Sequence, residues 1–333
     1  MLTSLIPQLA GRRILVVGDI ILDEYLFGRA TRMSREAPIP VLEFEARRHI
    51  PGGAANPSAN IAALGSTAIQ IGGVGGDEAG KQLYTALQTA GIDTVGIVVD
   101  PSRPTTVKTR IMAQMGLRFP QQVARLDTLS REPMNPFVET QILANITQAL
   151  GNCDAILLSD YHIGLLTPEL IAAIHTKARE FGLMLTADAQ GELKKYARFN
   201  LVKCNADEAS AYLRRSLTTD ADFAAAALDL CQRLTLTGGM FITRGGDGIT
   251  FATADDQSAH VPAPAVTDVY DTVGAGDTTI AVLTLAAAAG IAYQQAAVLA
   301  NVASGLVVRR VGNYAPSPEE LTEAIRDWGI DES

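Results

Sequence analysis

The stretch Asp268–Thr278, DVYDTVGAGDT, places Gly274, Ala275 and Gly276 directly before Asp277, with a second carboxylate, Asp271, six positions earlier; an apolar run, TIAVLTLAAAAG, follows at once. A loop almost without side chains at a helix N-terminus presents bare backbone N–H groups with the positive end of the helix dipole behind them, which is an anion site. An aspartate in the first turn has a plain structural explanation, worth about 0.3–1 kcal/mol. A cap, however, needs neither glycines before it nor a nearly uncharged helix after it. A carboxylate beside an anion hole can take a proton from a hydroxyl while the N–H groups hold the charge on a phosphoryl group in transfer. Near the N-terminus a second cluster stands out: Asp19 and Asp23 follow RILVVGD, and PGGAANPSANIAALG (from Pro51) sets Gly52, Gly53 and Asn56 at a helix start. Short carboxylates and amides at strand ends suit polyol hydroxyls, since each offers two directed hydrogen-bonding atoms. Taken alone, a turn followed by a helix start explains that cluster equally well.

Other chemistries lack their residues. GGDEAGKQ (Gly75–Gln82) has P-loop spacing, but Gln82 replaces the hydroxyl residue that would hold magnesium, and Asp77 and Glu78 would repel phosphate; Asp77 reads instead as a helix N-cap. No G-x-G-x-x-G follows a strand, and neither H-E-x-x-H nor G-x-S-x-G occurs, which removes the main support for dinucleotide, zincin and serine-hydrolase readings. A net charge of −9 argues against a nucleic-acid or anionic-membrane binder. Cys153, Cys204 and Cys231 are widely spaced, without C-x-x-C, and fit small buried side chains in a reducing cytoplasm better than disulfides or zinc. The N-terminus MLTSLIPQLAGRR lacks the order of a signal peptide, and Thr278–Ala292 is too short to span a bilayer.

These residues must be carried by elements that alternate. Strand-like RILVVGD, AIQIGGVG (from Ala68), DAILLSD (from Asp154), LMLTAD (from Leu183) and GMFITRGGDG (from Gly239) are interleaved with helical patterns over Gly53–Leu64, Glu78–Ala90, Pro168–Phe181 and Ala221–Leu234, with a short helix after Asn205. That order predicts a mostly parallel sheet covered by helices on both faces, with ligands at the carboxyl ends of the strands. Ile39–Ile50 and Thr105–Leu126 break the rhythm as strands without helices, and read as a small antiparallel sheet serving as a lid or dimer surface. The expectation is one continuous domain over residues 1–333, its lid formed by about 22–50 and 104–127.

Together the two motifs resemble the PfkB or ribokinase family of carbohydrate kinases, over essentially the whole chain and in the family's order. The resemblance implies a three-layer α/β/α sandwich with a β-sheet lid, ATP and Mg2+ as cofactors, a small-molecule sugar or sugar phosphate as substrate, and a homodimer formed through the lid. It makes Asp277 the base and Gly274, Ala275 and Gly276 the anion hole. KCNADE is similar to the family's N-x-x-E motif, so Asn205 and Glu208 would organise Mg2+ through water and Lys203 would meet phosphate. TRGGDG implicates Thr243, Gly245 and Gly248 beside the nucleotide, and Asn301 matches an adenine-side asparagine. Asp271 falls where the family binds a monovalent cation such as K+, and Asp23, Gly52, Gly53 and Asn56 fall on the sugar side, with Lys108 and Arg110 as further substrate contacts.

Within that family the chain is similar to the heptose-7-phosphate kinase branch in VVGDIILDEYLFGRATRMSREAPIPVLEF, TVKTRIMA, RLD and LSDYHIGLLT. The branch has lysines where this chain has Ile163 and Gln190. At about 1.5–3 kcal/mol per charged hydrogen bond, that loss weakens phosphate binding by orders of magnitude unless Lys108, Arg110, Arg118 or His162 compensates. The acceptor therefore stays open between D-glycero-D-manno-heptose 7-phosphate and an unphosphorylated sugar or nucleoside. Outside catalysis the alternative is a nucleotide or sugar sensor that has kept the fold.

Overall fold

A computed structural model describes residues 1–116, 120–266 and 268–330. β1 (Arg13–Gly18) passes through Asp19 into β2 (Ile20–Met33), and β3 (Pro40–Gly53) returns to α1 (Ala55–Ala63). β4 (Thr67–Gly75), α2 (Glu78–Thr89) and β5 (Asp93–Asp100) precede β6 (Val107–Gln114) and β7 (Gln121–Thr128). Next come α3 (Pro136–Ala149), β8 (Ala155–Ser159), α4 (Pro168–Phe181), β9 (Met184–Asp188), β10 (Leu201–Asn205), α5 (Ala206–Leu213) and α6 (Asp220–Arg233). The chain continues through β11 (Gly239–Thr243), β12 (Ile249–Thr253) and β13 (Ser258–Val261) to α7 (Ala275–Ala288), α8 (Tyr293–Val307) and α9 (Pro318–Asp327).

Nine strands form one sheet in the order β13-β12-β11-β10-β9-β8-β1-β4-β5. Every pairing from β5 to β11 is parallel, and the β12–β13 hairpin is antiparallel. β1 shows why the strands read as continuous apolar runs: in a parallel sheet both faces are covered. Its Ile14 and Val16 enter a core shared with α1, α7 and α8, whereas Leu15 and Val17 enter one shared with α3, α4 and α6. This is the expected three-layer α/β/α sandwich. α7 is buried without interruption from Asp277 to Ala286, so its N-terminus is held by packing along the whole helix.

The smaller sheet has the order β3-β2-β6-β7. β2 with β3 and β6 with β7 are antiparallel pairs, as expected, and the two pairs join along a parallel β2–β6 seam. Asp23 of β2 lies opposite Lys108 of β6, and Tyr25 opposite Arg110. All eight residues of β7 are exposed, and Phe44 and Leu126 keep 67% and 65% of their surface open. Arg118 lies outside the described residues.

Candidate active site

The strand register lines up the chemistry. Gly18 pairs with Ser159, Ser159 with Asp188, Asp188 with Lys203, and Asn205 with Thr243, so the carboxyl ends of β1, β8, β9, β10 and β11 form one edge. The start of α7 faces this edge. Gly274 is its N-cap residue at φ +86°, a conformation that suits glycine, and no side chain caps the helix. The N–H groups of a first helical turn have no intrahelical acceptor. A Cβ at Gly274 would stand 2.7 Å from Asn56 Nδ2, and one at Gly276 would stand 2.9 Å from Lys203 Nζ. The bare loop is thus a cradle that side chains would fill, bordered by an amide and a cation, and its donors fit an anion such as a terminal phosphate.

Asp277 is buried in this cradle. Its Oδ1 accepts a hydrogen bond from the Tyr161 hydroxyl at 2.6 Å and its Oδ2 one from Asn56 Nδ2 at 2.8 Å. Burial, reinforced by the nearby Asp188 carboxylate, pushes its pKa up to about 6, against the opposing pull of Tyr161, Asn56 and Lys203. A carboxylate poised there is mostly ionised at neutral pH yet more basic than an exposed one, which is what a general base needs. Asp188 is itself neutralised: Lys203 Nζ binds both its oxygens, at 2.8 and 3.0 Å. Burial acts to lower the Lys203 pKa, but this partner outweighs it and the net shift is upward.

From Asn56 the network continues toward β2 and β3. Asn56 Nδ2 also donates to Asn313 Oδ1 at 3.2 Å, and Asn313 Nδ2 donates to Asp23 Oδ2 at 2.6 Å. Arg110 donates to the other oxygen of Asp23 in a buried pair. Gly52 is required beside them, since a Cβ there would lie 2.2 Å from Asp23 Oδ2; Gly53, at φ +56°, would meet the Asp19 carbonyl at 2.4 Å. Asn60 supports Asn56 from below, donating to its side-chain oxygen at 3.2 Å and accepting from Thr278 Oγ1 at 2.9 Å. Lys108 reaches from β6 to stand 5.0 Å above the Tyr161 ring, and burial lowers its pKa.

The residues expected beside the nucleotide are arranged differently. Asn205 and Glu208 form a capping box at the start of α5: Asn205 Oδ1 accepts from the Glu208 N–H at 2.8 Å, and Glu208 accepts from the Asn205 N–H at 2.7 Å. Burial raises the Glu208 pKa. Thr243 ends β11 beside Asn205, while Gly245 and Gly248 make the following turn with φ of +59° and +95°. Asn301 donates to the carbonyls of Val261 and Pro262, at 2.9 and 3.2 Å, and so anchors the chain leaving β13. Among the described residues, no hydrogen bond joins Thr243, Gly245, Gly248 or Asn301 to the Asp277 network. Asp271 ties two loops together by accepting from the N–H groups of Val273 and Gly312, both at 3.0 Å.

Tyr161, Asn313, Asn60 and Asp188 join the site without having been singled out from the sequence. Asp188 carried a readable signal, as the last residue of LMLTAD at the carboxyl end of a strand. Ile163 turns its side chain into the body, 4% exposed, whereas Gln190 is half-buried at the surface. Asp77 caps α2 by accepting from the Gly80 N–H at 2.9 Å, so the stretch with P-loop spacing is a helix start.

Comparison with known proteins marks this α/β/α sandwich with a side sheet as a phosphotransferase acting on alcohols. The chain belongs to the pfkB family of carbohydrate kinases, whose profile matches residues 12–320. It is 39% identical over 308 residues to the bifunctional protein HldE of Geobacter metallireducens, covering 92% of this chain and 61% of that one. To the HldE protein of Caulobacter vibrioides it is 38% identical over 318 residues, covering 94% and 63%. The chain therefore spans under two thirds of the length of these relatives. In fold it is similar to a putative ribokinase from Agrobacterium tumefaciens, with TM-score 0.76, 24% identity and 96% and 99% of the two chains covered. It is likewise similar to Escherichia coli phosphofructokinase-2 in complex with fructose-6-phosphate, with TM-score 0.76, 19% identity and the same coverage. It is a sugar kinase of this family, and kinases of the family use ATP and a divalent metal. No helix among the described residues is long and apolar enough to cross a membrane.

Proposed function

We propose that this chain transfers the γ-phosphoryl group of ATP to a hydroxyl of a sugar phosphate, D-glycero-D-manno-heptose 7-phosphate, to give the 1,7-bisphosphate. The acceptor O–H proton passes to Asp277, the new O–P bond forms as the β,γ-bridging bond breaks, and ADP leaves. The N–H groups of Gly274–Gly276 hold the charge that develops on the transferring group. The observation that carries this reading is the buried Asp277 carboxylate, with a pKa near 6, at a helix start that no side chain caps and next to Lys203. Asp23, Gly52, Gly53, Asn56, Lys108 and Arg110 form the acceptor side. Lys203, Thr243, Gly245, Gly248 and Asn301 serve the nucleotide, Asn205 and Glu208 hold Mg2+ through water, and Asp271 borders a K+ ion. Mg2+ supplies charge neutralisation across the phosphates. Residues 1–333 work as one kinase unit in the cytoplasm, pairing through the outer face of the small sheet, where Phe44 and Leu126 lie open.

The sequence resemblance to heptose-7-phosphate kinases supports this acceptor. A second reading, an unphosphorylated sugar or nucleoside, is favoured by Ile163 and Gln190, which supply no cation at the two positions where that branch has lysines. A coupled ADP-release screen across sugars, nucleosides and sugar phosphates separates the two. Heptose 7-phosphate is expected to give the highest kcat/KM; a preference of tenfold or more for any unphosphorylated acceptor overturns the proposal, and no turnover with any alcohol favours a sensor.

A further inference from the structure

Tyr161 has no part in the roles assigned so far, yet it touches the reacting centre more closely than most residues that have one. Its main chain is fixed: Asp19 Oδ2 accepts the N–H groups of Tyr161 and Ile163, at 3.0 and 3.1 Å, and Oδ1 accepts that of Leu165 at 3.3 Å. From that anchored turn the phenol reaches across to Asp277. Lys108 of the small sheet stands over its ring, 5.0 Å from the centroid, and helps hold the ring in place. Burial and the adjacent Asp277 carboxylate raise the phenol's own pKa, so it stays protonated and can only donate to that carboxylate.

We infer that Tyr161 is the positioning residue of the base: its hydroxyl fixes the plane of the Asp277 carboxylate and favours the ionised form that accepts the proton. The inference rests on Asp277 being the base. Two donors, Tyr161 and Asn56, take one position on each oxygen, and an ionised carboxylate has about four such positions, so an acceptor hydroxyl can bind without displacing either. Asn56 reaches only Oδ2, with one of its two amide hydrogens, and its other hydrogen goes to Asn313, so Oδ1 depends on Tyr161. The charged and titratable groups acting on this pair are Asp188 from β9, Lys203 from β10, Asp23 from β2 and Lys108 from β6. Lys203 favours the ionised base and Asp188 opposes it; Tyr161 adds a directed bond to the first side.

The test is the pH dependence of kcat/KM in the full chain for Tyr161→Phe, read beside Asp277→Asn. Removing the hydroxyl keeps the ring, the contact with Lys108 and the main-chain bonds to Asp19. The acid limb of the profile is expected to move up by about one pH unit, since it loses one strong donor to the carboxylate. On the plateau kcat should fall by about tenfold while the KM for ATP stays near that of the wild type. A Tyr161→Phe profile that superimposes on the wild type, or a lowered plateau with an unmoved limb, overturns the inference. If Asp277→Asn keeps wild-type turnover, the base assignment itself fails; if it is inactive while Tyr161→Phe is unchanged, only the role of Tyr161 fails.

Discussion

The two halves of the site are built by different means. On the proposed acceptor side, side chains from six separated parts of the chain join in one line, Arg110–Asp23–Asn313–Asn56–Asp277–Tyr161. On the proposed nucleotide side the candidates are a helix cap, one turn with two glycines and an asparagine spent on main-chain carbonyls. Moving a proton requires a carboxylate of defined direction and basicity, and only a network of fixed side chains supplies both. Holding a polyphosphate asks less, because helix ends and turns already point N–H groups outward. Precision is concentrated where a bond is made.

The sharpest way to break this contrast is Asp277→Asn. Loss of the base should lower kcat for ADP release by about 10²–10⁴-fold, and a variant with wild-type turnover would make the two sides equivalent. In the wild type, the pKa near 6 sets the sign of the pH response. Below it the carboxyl binds a proton and kcat/KM falls by about tenfold per unit; above it the rate levels off. Gly52→Ala is the next largest test. Its Cβ would press on Asp23 Oδ2 and displace the bonds from Asn313 and Arg110. At about 1.5–3 kcal/mol for a charged hydrogen bond, KM for the acceptor should rise by about 10–100-fold with KM for ATP unchanged; equal changes in both would show that the sides are coupled. Asn205→Ala should have the smallest effect on the acceptor side: a loss of about 0.5–2 kcal/mol in chemical denaturation from the missing cap, with the KM for ATP, and not that for the acceptor, raised through the proposed Mg2+ contact. An acceptor KM that moved with it would again count against the division.

Much of this contrast was legible along the chain where the signal is local. Asp77 sits three residues before the N–H group it accepts, so spacing alone marks it as a cap; Asn205 has the same spacing, but the sequence marked it only through the N-x-x-E resemblance, and its cap is a finding of the structure. Alternation of strands and helices likewise gave the layered sheet, and α4 was expected over the residues it occupies. Tyr161 and Asn313 carried no such mark. They meet Asp277 and Asn56 across 116 and 257 residues, and only the tertiary arrangement brings those loops together. α3 also went unread despite Asn135 and Pro136, its N-cap and first residue, because its apolar positions are too evenly spread to show one face. Ile163 lies on the loop that carries Tyr161, but the inward turn of its side chain was decided by packing.

That loop has one more consequence, for how such a protein can change over generations. Its course from Tyr161 to Leu165 is held through main-chain groups, with Asp19 gripping three N–H groups, Asp160 accepting that of His162 and Arg103 binding the Ile163 carbonyl, and such groups are common to nearly every residue type. Position 162, half-exposed, can therefore change among residues that accept its φ of +55° with little disturbance to Tyr161, whereas the buried Ile163 is held by packing as well. On the proposed reading, these grips separate a side chain that can vary, at position 162, from a hydroxyl that stays in place, at Tyr161.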